Sequence, residues 1–249
     1  RDPEMSRGLG DVYKRQVDMA VVDMAQLIRM EKNDENLPYG VVISGVLKRG
    51  DSRYVMIRKR HAKDLIENAV VATDSYSKTE RIKHMYDGIS CVVETDIRKC
   101  IEKLDASECD AVFVLLEDIK AARLHNSFLY RYTIMDYGEC VPVHGEGVYA
   151  MLTKGKKEAV RTARELSHKS TAECFEIEDD IISRVMQNVY VKTCDVYARI
   201  SSDRLEIYAD VTGNRGRIRV NERGTFVNKN LIICLLYTSP SPRDISGSR

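Results

Sequence analysis

The sequence predicts an α/β protein with a small α+β domain at its C-terminal end. Two observations lead to this class. Short apolar runs, typical of buried strands, alternate with segments in which apolar residues recur at helical spacing. After Asn188 this alternation stops, and β-rich stretches separated by turn residues follow one another, as in an antiparallel sheet.

The elements are predicted in order along the chain. Apolar runs predict strands at 17–22, 41–47, 69–73, 91–93 and 110–116. Helical spacing predicts helices at 75–86, 95–104, 117–124, 157–168 and 171–186. Strands and helices that alternate in this way indicate parallel α/β units. The terminal antiparallel sheet is predicted from the β-rich stretches 189–200, 204–211 and 216–220.

The two ends of the chain mirror each other at the level of coding DNA. Residues 6–16 and 234–244 can be encoded by sequences that are reverse complements, which two natural termini would not show by chance. We interpret both ends as a translated sequencing adaptor and set residues 1–16 and 234–249 aside. We expect these two ends to lack native packing.

Composition excludes several classes of protein. With 39 Lys+Arg and 38 Asp+Glu, the formal charge of +1 argues against nucleic acid as a partner. No apolar run is long enough to span a membrane. The cysteines are scattered, without a C-x-x-C pair or zinc-ligand spacing, which predicts no metal site and a reducing, cytoplasmic location.

Four segments of the chain resemble the porphobilinogen deaminase (hydroxymethylbilane synthase) family, in the family's order and at its spacings. Residues 104–111 (LDASECDA) resemble L-D-x-G-E-Y-D-A, and residues 141–147 (VPVHGEG) resemble L-P-A-V-G-Q-G. Residues 166–178 follow the pattern L-N-H-x-x-T-A…E-R, and residues 17–27 stand where the family has D-I-A-V-H-S-x-K-D-V-P. The resemblance implies a divergent member that lacks the N-terminal half of the first domain.

The resemblance also implies a domain organisation. Two domains form a cleft like that of periplasmic binding proteins, and a third, small α+β domain carries a cysteine on a loop. On this basis residues 17–44 and 139–156 belong to a partial first domain. Residues 45–138 then form the second domain and residues 157–233 the third.

The family chemistry gives the functional expectation. The resemblance implies a transferase of porphyrin (tetrapyrrole, heme) biosynthesis that joins four porphobilinogens head to tail into hydroxymethylbilane. In the family a cysteine holds a covalent dipyrromethane cofactor, an aspartate moves protons, and arginines pair with substrate carboxylates. The implied partner is a small pyrrole, bound by a monomer, with no nucleic acid or membrane involved.

The chain departs from the family at the catalytic carboxylate. The family's S-x-K-D becomes residues 23–26 (DMAQ), which puts Ala25 at the lysine and Gln26 at the aspartate. Because glutamine cannot carry a proton in that role, no catalytic residue is intact. Asp23 is either a displaced carboxylate, which a continuing strand would place on the opposite face, or a solvated or capping residue.

The candidate substrate-binding residues begin with Thr73, Ser75 and Lys78, in the segment that matches G-T-S-S-L-R-R. Ser77 replaces one arginine of that motif. Lys78 replaces the other, and its ammonium lacks the bidentate geometry of a guanidinium.

The family's R-G-N-V-D-T-R loses both arginines, at Glu94 and Cys100. Arg98 and Lys99 lie close by, but a shift of one residue rotates a helical side chain by about 100°. The alternative interpretation of Lys78, Arg98 and Lys99 is a solvated basic face.

The turn at residues 144–147 supplies the remaining substrate-binding candidates. Gly145 and Gly147 match family glycines and serve either a ligand or a backbone conformation that needs glycine. His144 faces the cleft by resemblance and is either a general base or an ordinary loop histidine.

The thiol that anchors the cofactor is missing from its place. That position falls at Val189 or Tyr190, and the nearest thiol is Cys194, which is either a remote attachment site or a small buried hydrophobe. We therefore expect this chain to carry no dipyrromethane.

Three functions remain open. The first is an impaired or inactive deaminase, which would need an anchored primer to work. The second is a ligand-binding module that keeps a polar two-domain cleft. The third is an interaction pseudoenzyme that partners a pathway enzyme through an exposed apolar patch.

Overall fold

A computed structural model describes residues 17–62, 68–125, 127–201, 204–214 and 216–225. The adaptor-like ends, 1–16 and 234–249, lie outside the described residues, and so does the expectation that they lack native packing. None of the described helices is long and apolar enough to cross a membrane.

The described secondary structure follows the alternation seen in the sequence. The strands are β1 (Met19–Asp23), β2 (Val41–Val46), β3 (Tyr54–Lys59), β4 (Val70–Thr73), β5 (Ser90–Val93), β6 (Ala111–Leu115), β7 (Tyr130–Ile134), β8 (Tyr149–Lys154), β9 (Val191–Ser201), β10 (Arg204–Gly213) and β11 (Gly216–Thr225). The helices are α1 (Met24–Lys32), α2 (Tyr76–Lys83), α3 (Ile97–Asp105), α4 (Leu116–Ala121), α5 (Lys157–Leu166) and α6 (Lys169–Val185).

The chain divides into two compact units. One unit comprises residues 50–143, and the other comprises the residues up to Arg49 together with those from His144 onward. The unit of residues 50–143 is therefore inserted into the other unit, which the chain leaves after Arg49 and re-enters at His144. The division into domains at 17–44 with 139–156, 45–138 and 157–233 remains a prediction.

The unit of residues 50–143 is built on a mixed sheet with the strand order β5-β4-β6-β3-β7. β4 pairs in parallel with β5 and β6, whereas β3 pairs antiparallel with β6 and β7. The predicted α/β class is confirmed. The parallel arrangement expected from the sequence holds for β5, β4 and β6 but is wrong for the other pairs, because β3 and β7 were not among the predicted strands.

Both faces of this sheet are covered, since successive residues of a strand point to opposite faces. On one face, Val55, Ile57, Val112 and Val114 pack with residues of α3. On the other, Tyr54, Met56 and Phe113 pack with Ile82 of α2. β6 is buried along its whole length, which explains why its sequence is a continuous apolar run.

The other unit holds two antiparallel sheets. In the first, β8 lies between β1 and β2. In the second, β10 lies between β9 and β11. One face of this sheet packs against α6, where Cys194, Val196 and Ala198 of β9 lie in the same apolar cluster as Cys174, Ile177 and Ile181. This second sheet with its helix confirms the predicted α+β region.

Candidate functional site

A polar cluster surrounds the carboxylate of Glu178, on the buried face of α6, in the unit that joins the residues up to Arg49 with those from His144 onward. Glu178 is fully buried, and both of its oxygens face the guanidinium of Arg49, with Nη2 at 3.3 Å from Oε2 and Nη1 in shorter contact with Oε1. The backbone N–H of Ala198 in β9 also donates to Oε1, at 2.7 Å. The carboxylate thus ties α6 to β9 and to the segment that precedes Gly50.

Further contacts hold Arg49 in place in addition to its pair with Glu178. Its Nε donates to the carbonyl of Glu146 at 3.1 Å, and its backbone N–H donates to Thr171 Oγ1 at 3.0 Å. The guanidinium lies over the ring of Tyr197, 4.4 Å from the centroid. Burial alone would raise the pKa of the Glu178 carboxyl, but the charge of Arg49 and its hydrogen bonds hold that pKa below its ordinary value.

His144 borders the same carboxylate. Its ring is 6% exposed and stacks on Phe175, with centroids 4.8 Å apart and planes 11° from parallel. Nδ1 lies 3.5 Å from Glu178 Oε2, and Nε2 lies 3.7 Å from Asp179 Oδ1. Neither contact has hydrogen-bond geometry, and neither ring nitrogen finds a hydrogen-bond partner among the described residues. The backbone N–H of His144 donates to Asp195 Oδ1 at 3.3 Å.

The two glycines that follow His144 serve the backbone. Gly145 and Gly147 have φ values of +85° and +72°, in the left-handed region that favours glycine. A Cβ on Gly145 would lie 2.9 Å from the backbone nitrogen of Ala25 and 2.7 Å from Ile28 Cδ1. The turn therefore packs against the first turn of α1 so closely that a side chain has no room. A substrate contact by these glycines remains a prediction.

At the start of α1, the structure corrects one expectation. The strand does not continue through residues 23–26, because α1 begins at Met24, so Asp23 and Gln26 are not on opposite faces of a strand. Asp23 is the N-cap residue, and its Oδ1 accepts a hydrogen bond from the backbone N–H of Gln26 at 3.1 Å. Asp23 thus has the capping role, and Gln26 lies half-buried in the first turn of α1.

In the unit of residues 50–143, the candidates Thr73, Ser75 and Lys78 lie at the end of β4 and the start of α2. Thr73 is fully buried, and its hydroxyl lies 2.9 Å from Thr79 Oγ1. Ser75 is the N-cap residue of α2. Lys78 is 4% exposed, and its Nζ lies 2.6 Å from Asp74 Oδ2. The interpretation of Lys78 as a solvated cation is wrong, because Asp74 compensates its charge in the interior.

The second arginine-bearing motif of the family has no buried cation here. Cys100, at one arginine position, is fully buried in the core, and its Sγ donates to the carbonyl of Glu94 at 3.1 Å. Burial raises the pKa of the Cys100 thiol to about 12. Arg98 and Lys99 are exposed, and Arg98 reaches the carbonyl of Ala122 at 3.2 Å. These two residues therefore lie on a solvated basic face, as the alternative interpretation expected.

At the expected cofactor position the side chains are exposed but are not thiols. Val189 is 85% exposed and Tyr190 is 61% exposed, in the connection between α6 and β9. Cys194 lies inside β9 with its side chain in the apolar core against α6. Burial raises the pKa of its thiol to about 12, so the nucleophilic thiolate is strongly disfavoured.

The candidates therefore fall into two groups. Gln26, His144, Gly145 and Gly147 belong to one compact unit, whereas Thr73, Ser75 and Lys78 belong to the other. The ion pair between Arg49 and Glu178 was not predicted from the sequence, although Glu178 belongs to the motif recognised at residues 166–178. Its partner stands 129 residues earlier in a short polar connection, where no local pattern marks it.

The comparison with protein families gives a match. The family described as "Porphobilinogen deaminase, dipyromethane cofactor binding domain" matches residues 10–162, including the last seven residues of the N-terminal segment that we set aside. The described residues do not fit a thiol-linked cofactor. Their cysteines are buried except Cys91, which is half-buried, and neither Val189 nor Tyr190 offers a thiol.

Curated relatives carry the same name. The chain is similar to porphobilinogen deaminase of Chlorobium luteolum, with 24% identity over 84% of this chain and 64% of that protein. It is also similar to the probable porphobilinogen deaminase of Picrophilus torridus, with 23% identity over 80% of this chain and 70% of that protein. Relative to the Chlorobium luteolum and Chlorobium limicola proteins, the chain spans 64% and 66% of their length.

Solved structures offer only weak likenesses. An ABC transporter protein from Parabacteroides distasonis aligns with a TM-score of 0.45 and 14% identity, over 74% of this chain and 62% of that chain. The VFT2 domain of BvgS from Bordetella pertussis aligns with a TM-score of 0.43 and 14% identity, over 68% and 69%. The family match covers more than half of the chain, in agreement with the motifs, and the chain belongs to the porphobilinogen deaminase family.

Proposed function

We propose that this chain is a hydroxymethylbilane synthase-type protein of the tetrapyrrole pathway whose deaminase activity is lost or strongly impaired. The observation that carries the proposal is the state of the thiols. The positions that correspond to the primer cysteine are Val189 and Tyr190, and Cys194 is buried with its pKa raised to about 12. Among the described residues, neither the primer position nor Cys194 then offers an accessible thiol as a covalent anchor for a growing pyrrole chain.

Two further features support the same proposal. Gln26 replaces the proton-carrying aspartate, and loss of general acid–base catalysis alone costs on the order of 10²–10⁴ in rate. Lys78, at a position where the family pairs an arginine with a substrate carboxylate, is already neutralised by Asp74 at 2.6 Å. A substrate carboxylate would have to displace an ion pair that is formed within the chain.

The proposal is tested by intact-mass measurement after incubation with porphobilinogen, together with an assay for hydroxymethylbilane. We expect the mass to remain that of the unmodified chain and no product to form. The matched control is the Cys194→Ser variant, which should behave like the parent. A pyrrole adduct that is present in the parent and absent from Cys194→Ser would overturn the proposal and restore the enzyme hypothesis.

A second candidate function, a ligand-binding module, is favoured by the polar residues at the start of α2. Thr73 and Ser75 keep the family residues, and Lys78 keeps a cation at an arginine position. Calorimetric titration with porphobilinogen separates this candidate from the first, because it requires binding without turnover. The absence of heat from both the parent and an Asp74→Ser variant, which removes the neutralising carboxylate, would count against it.

The proposal includes a monomeric state and a cytoplasmic location. The monomeric state is tested by size-exclusion chromatography with light scattering. A stable dimer would favour the interaction pseudoenzyme, since a partner surface would then exist on this chain. The location is tested by fractionation of the source cells with an antibody against the chain.

A further inference from the structure

Strand β7 forms one edge of the five-stranded sheet of residues 50–143. Among the residues that the structure describes, β7 pairs with β3 on one side and with no strand on the other. An edge of this kind presents backbone N–H and C=O groups with which an extended peptide can pair. The side chains around the edge decide whether a partner is attracted to it and of what chemistry.

The register of β7 against β3 shows which backbone groups of β7 point outward. The carbonyl of Leu129 and the N–H of Met135, at the two ends of β7, bond to the β3 segment at 2.8 and 2.9 Å. Because hydrogen-bonded positions alternate along an antiparallel strand, the odd-numbered residues between them also bond to β3. The even-numbered residues Tyr130, Tyr132 and Ile134 therefore direct their N–H and C=O groups away from β3.

On one face of the sheet, the side chains along this edge are apolar. Tyr130 and Tyr132 are half-buried against the core cluster, and Ile134 is exposed beside them. The two rings meet edge to face with centroids 6.3 Å apart, and both hydroxyls are hydrogen-bonded within the unit. Phe128 and Leu129, which precede β7, are 86% and 69% exposed. A partner thus meets fixed rings and exposed apolar side chains, which favour contact with apolar residues.

The opposite face of the same edge carries guanidinium groups. Arg131 of β7 stands directly opposite Arg58 of β3, and Arg60 follows two residues later on the same face. Like charges in such a cross-strand pair are unfavourable, and a carboxylate placed beside them offsets the repulsion. Among the described residues Arg60 contacts the carbonyl of Phe128, at 3.4 Å, and no carboxylate. This face of the edge therefore favours acidic side chains.

The two faces together specify the chemistry of an added strand, because successive residues of a strand point to opposite faces. We propose that the β7 edge binds an extended segment of a partner protein in which acidic and apolar residues alternate, and adds it to the sheet as a sixth strand. The apolar residues of the segment contact Tyr132 and Ile134, and its carboxylates lie beside Arg131 and Arg58.

A second copy of this chain is less suited to the same edge. Antiparallel pairing of β7 with itself keeps the same faces of the two sheets together, so Arg131 of each copy lies on the guanidinium face. Such a dimer adds cations where the edge favours carboxylates. The proposed surface is of the kind that an interaction pseudoenzyme requires, and it does not depend on whether deaminase activity is lost.

Binding is measured by fluorescence anisotropy of labelled synthetic peptides with the full chain, at low salt so that charge contacts are not screened. The probe is a peptide of about seven residues, the length of an ordinary strand, in which glutamate and valine alternate. One control peptide alternates lysine and valine, and the other has the composition of the probe with its glutamates in one block. We expect the probe to bind about tenfold more tightly than either control. Equal binding of the three peptides, or no binding of the probe at about 1 mM, overturns the proposal.

Two variants locate the binding on β7. Arg131→Glu should weaken binding of the probe about tenfold, whereas Arg161→Glu, the same charge change at an exposed position of α5, should not. Ile134→Pro removes an outward N–H on an edge strand, where proline is tolerated, and should abolish binding. Equal effects of Arg131→Glu and Arg161→Glu overturn the proposal. A dimer of the parent chain that Ile134→Pro dissociates, seen by light scattering, also overturns it and assigns the edge to a second copy.

A modified probe keeps the test decisive if Ile134→Pro does not fold. Only alternate N–H groups of an added strand bond to its neighbour. N-methylation of one alternating set of probe residues, either the valines or the glutamates, should therefore abolish binding, and N-methylation of the other set should not. Equal effects of the two methylated probes on binding to the parent chain would show that the peptide does not pair as a strand.

Discussion

The two units each contain a buried ion pair, and the pairs differ in how much of the chain they join. Arg49 and Glu178 are 129 residues apart in sequence, and their contact joins a connecting segment to α6. Lys78 and Asp74 are four residues apart, and their contact stays within the first turn of α2 and the residues before it. Both cations are well buried, with side chains 8% and 5% exposed.

The two pairs should therefore control different properties of the protein. A guanidinium offers a planar set of donors that engages both carboxylate oxygens, and Glu178 accepts a backbone N–H as well. This network assembles distant parts of the chain and should govern stability. A lysine ammonium is a point charge on a flexible stem, so the local pair should govern mainly which anions the start of α2 accepts.

Removing the negative charge of the long-range pair should have the largest effect. Glu178→Gln leaves the buried Arg49 guanidinium uncompensated, and breaking a buried pair in this way costs about 3–5 kcal/mol of unfolding free energy. Urea unfolding followed by circular dichroism measures this loss. The matched control is Asp180→Asn, whose pair with Arg184 is exposed and should cost less than about 0.5 kcal/mol. Equal losses in the two variants would mean that the buried pair is not special.

Lowering the pH should weaken the same ion pair in the parent protein, because it protonates the Glu178 carboxylate. The pKa of folded Glu178 lies below its ordinary value, so the unfolded chain binds the proton more readily than the folded one. The stabilisation is therefore complete above the ordinary value of 4.5 and is lost as the pH falls through the lower folded pKa. We expect the unfolding free energy of the parent to fall more steeply below about pH 4.5 than that of Glu178→Gln. Parallel curves for the two proteins would contradict this linkage.

Breaking the local pair should have a moderate effect on stability and a distinct effect on binding. Asp74→Ser restores the serine of the family motif and leaves the Lys78 ammonium without that carboxylate, at a cost of about 1–3 kcal/mol. The freed cation should also raise the affinity for porphobilinogen carboxylates, which calorimetric titration measures. Glu80→Gln is the control, because Glu80 pairs with Lys83 on the surface of the same helix. A gain in affinity in both variants would point to net charge rather than to Lys78.

The sequence predicted most local structure and few of the contacts between distant residues. The run DAVFVLL identified β6 because that strand is buried on both faces, whereas β7 alternates polar and apolar residues and was missed. The burial of Cys194 was one of two open interpretations, since a lone cysteine looks the same in a core and at a reactive site. Lys78 and Asp74 stand four residues apart in the sequence, but only the structure shows that the lysine side chain turns inward and pairs with that aspartate. The link from Arg49 to Glu178 depends on the path of the whole chain and leaves no local pattern.

Removing the N-cap of α1 should have the smallest effect. Asp23 accepts a hydrogen bond from the backbone N–H of Gln26, one of the amide groups that a helix leaves unpaired at its start. Asp23→Ala should therefore cost about 1 kcal/mol of unfolding free energy, and Asp23→Asn, which keeps a capping oxygen, should cost less. Glu31→Ala is the control, because that residue is exposed on the same helix and has no capping role. If Asp23 were instead a displaced proton carrier, Asp23→Asn would abolish whatever turnover the parent has while leaving stability unchanged, and that combination would contradict the capping role.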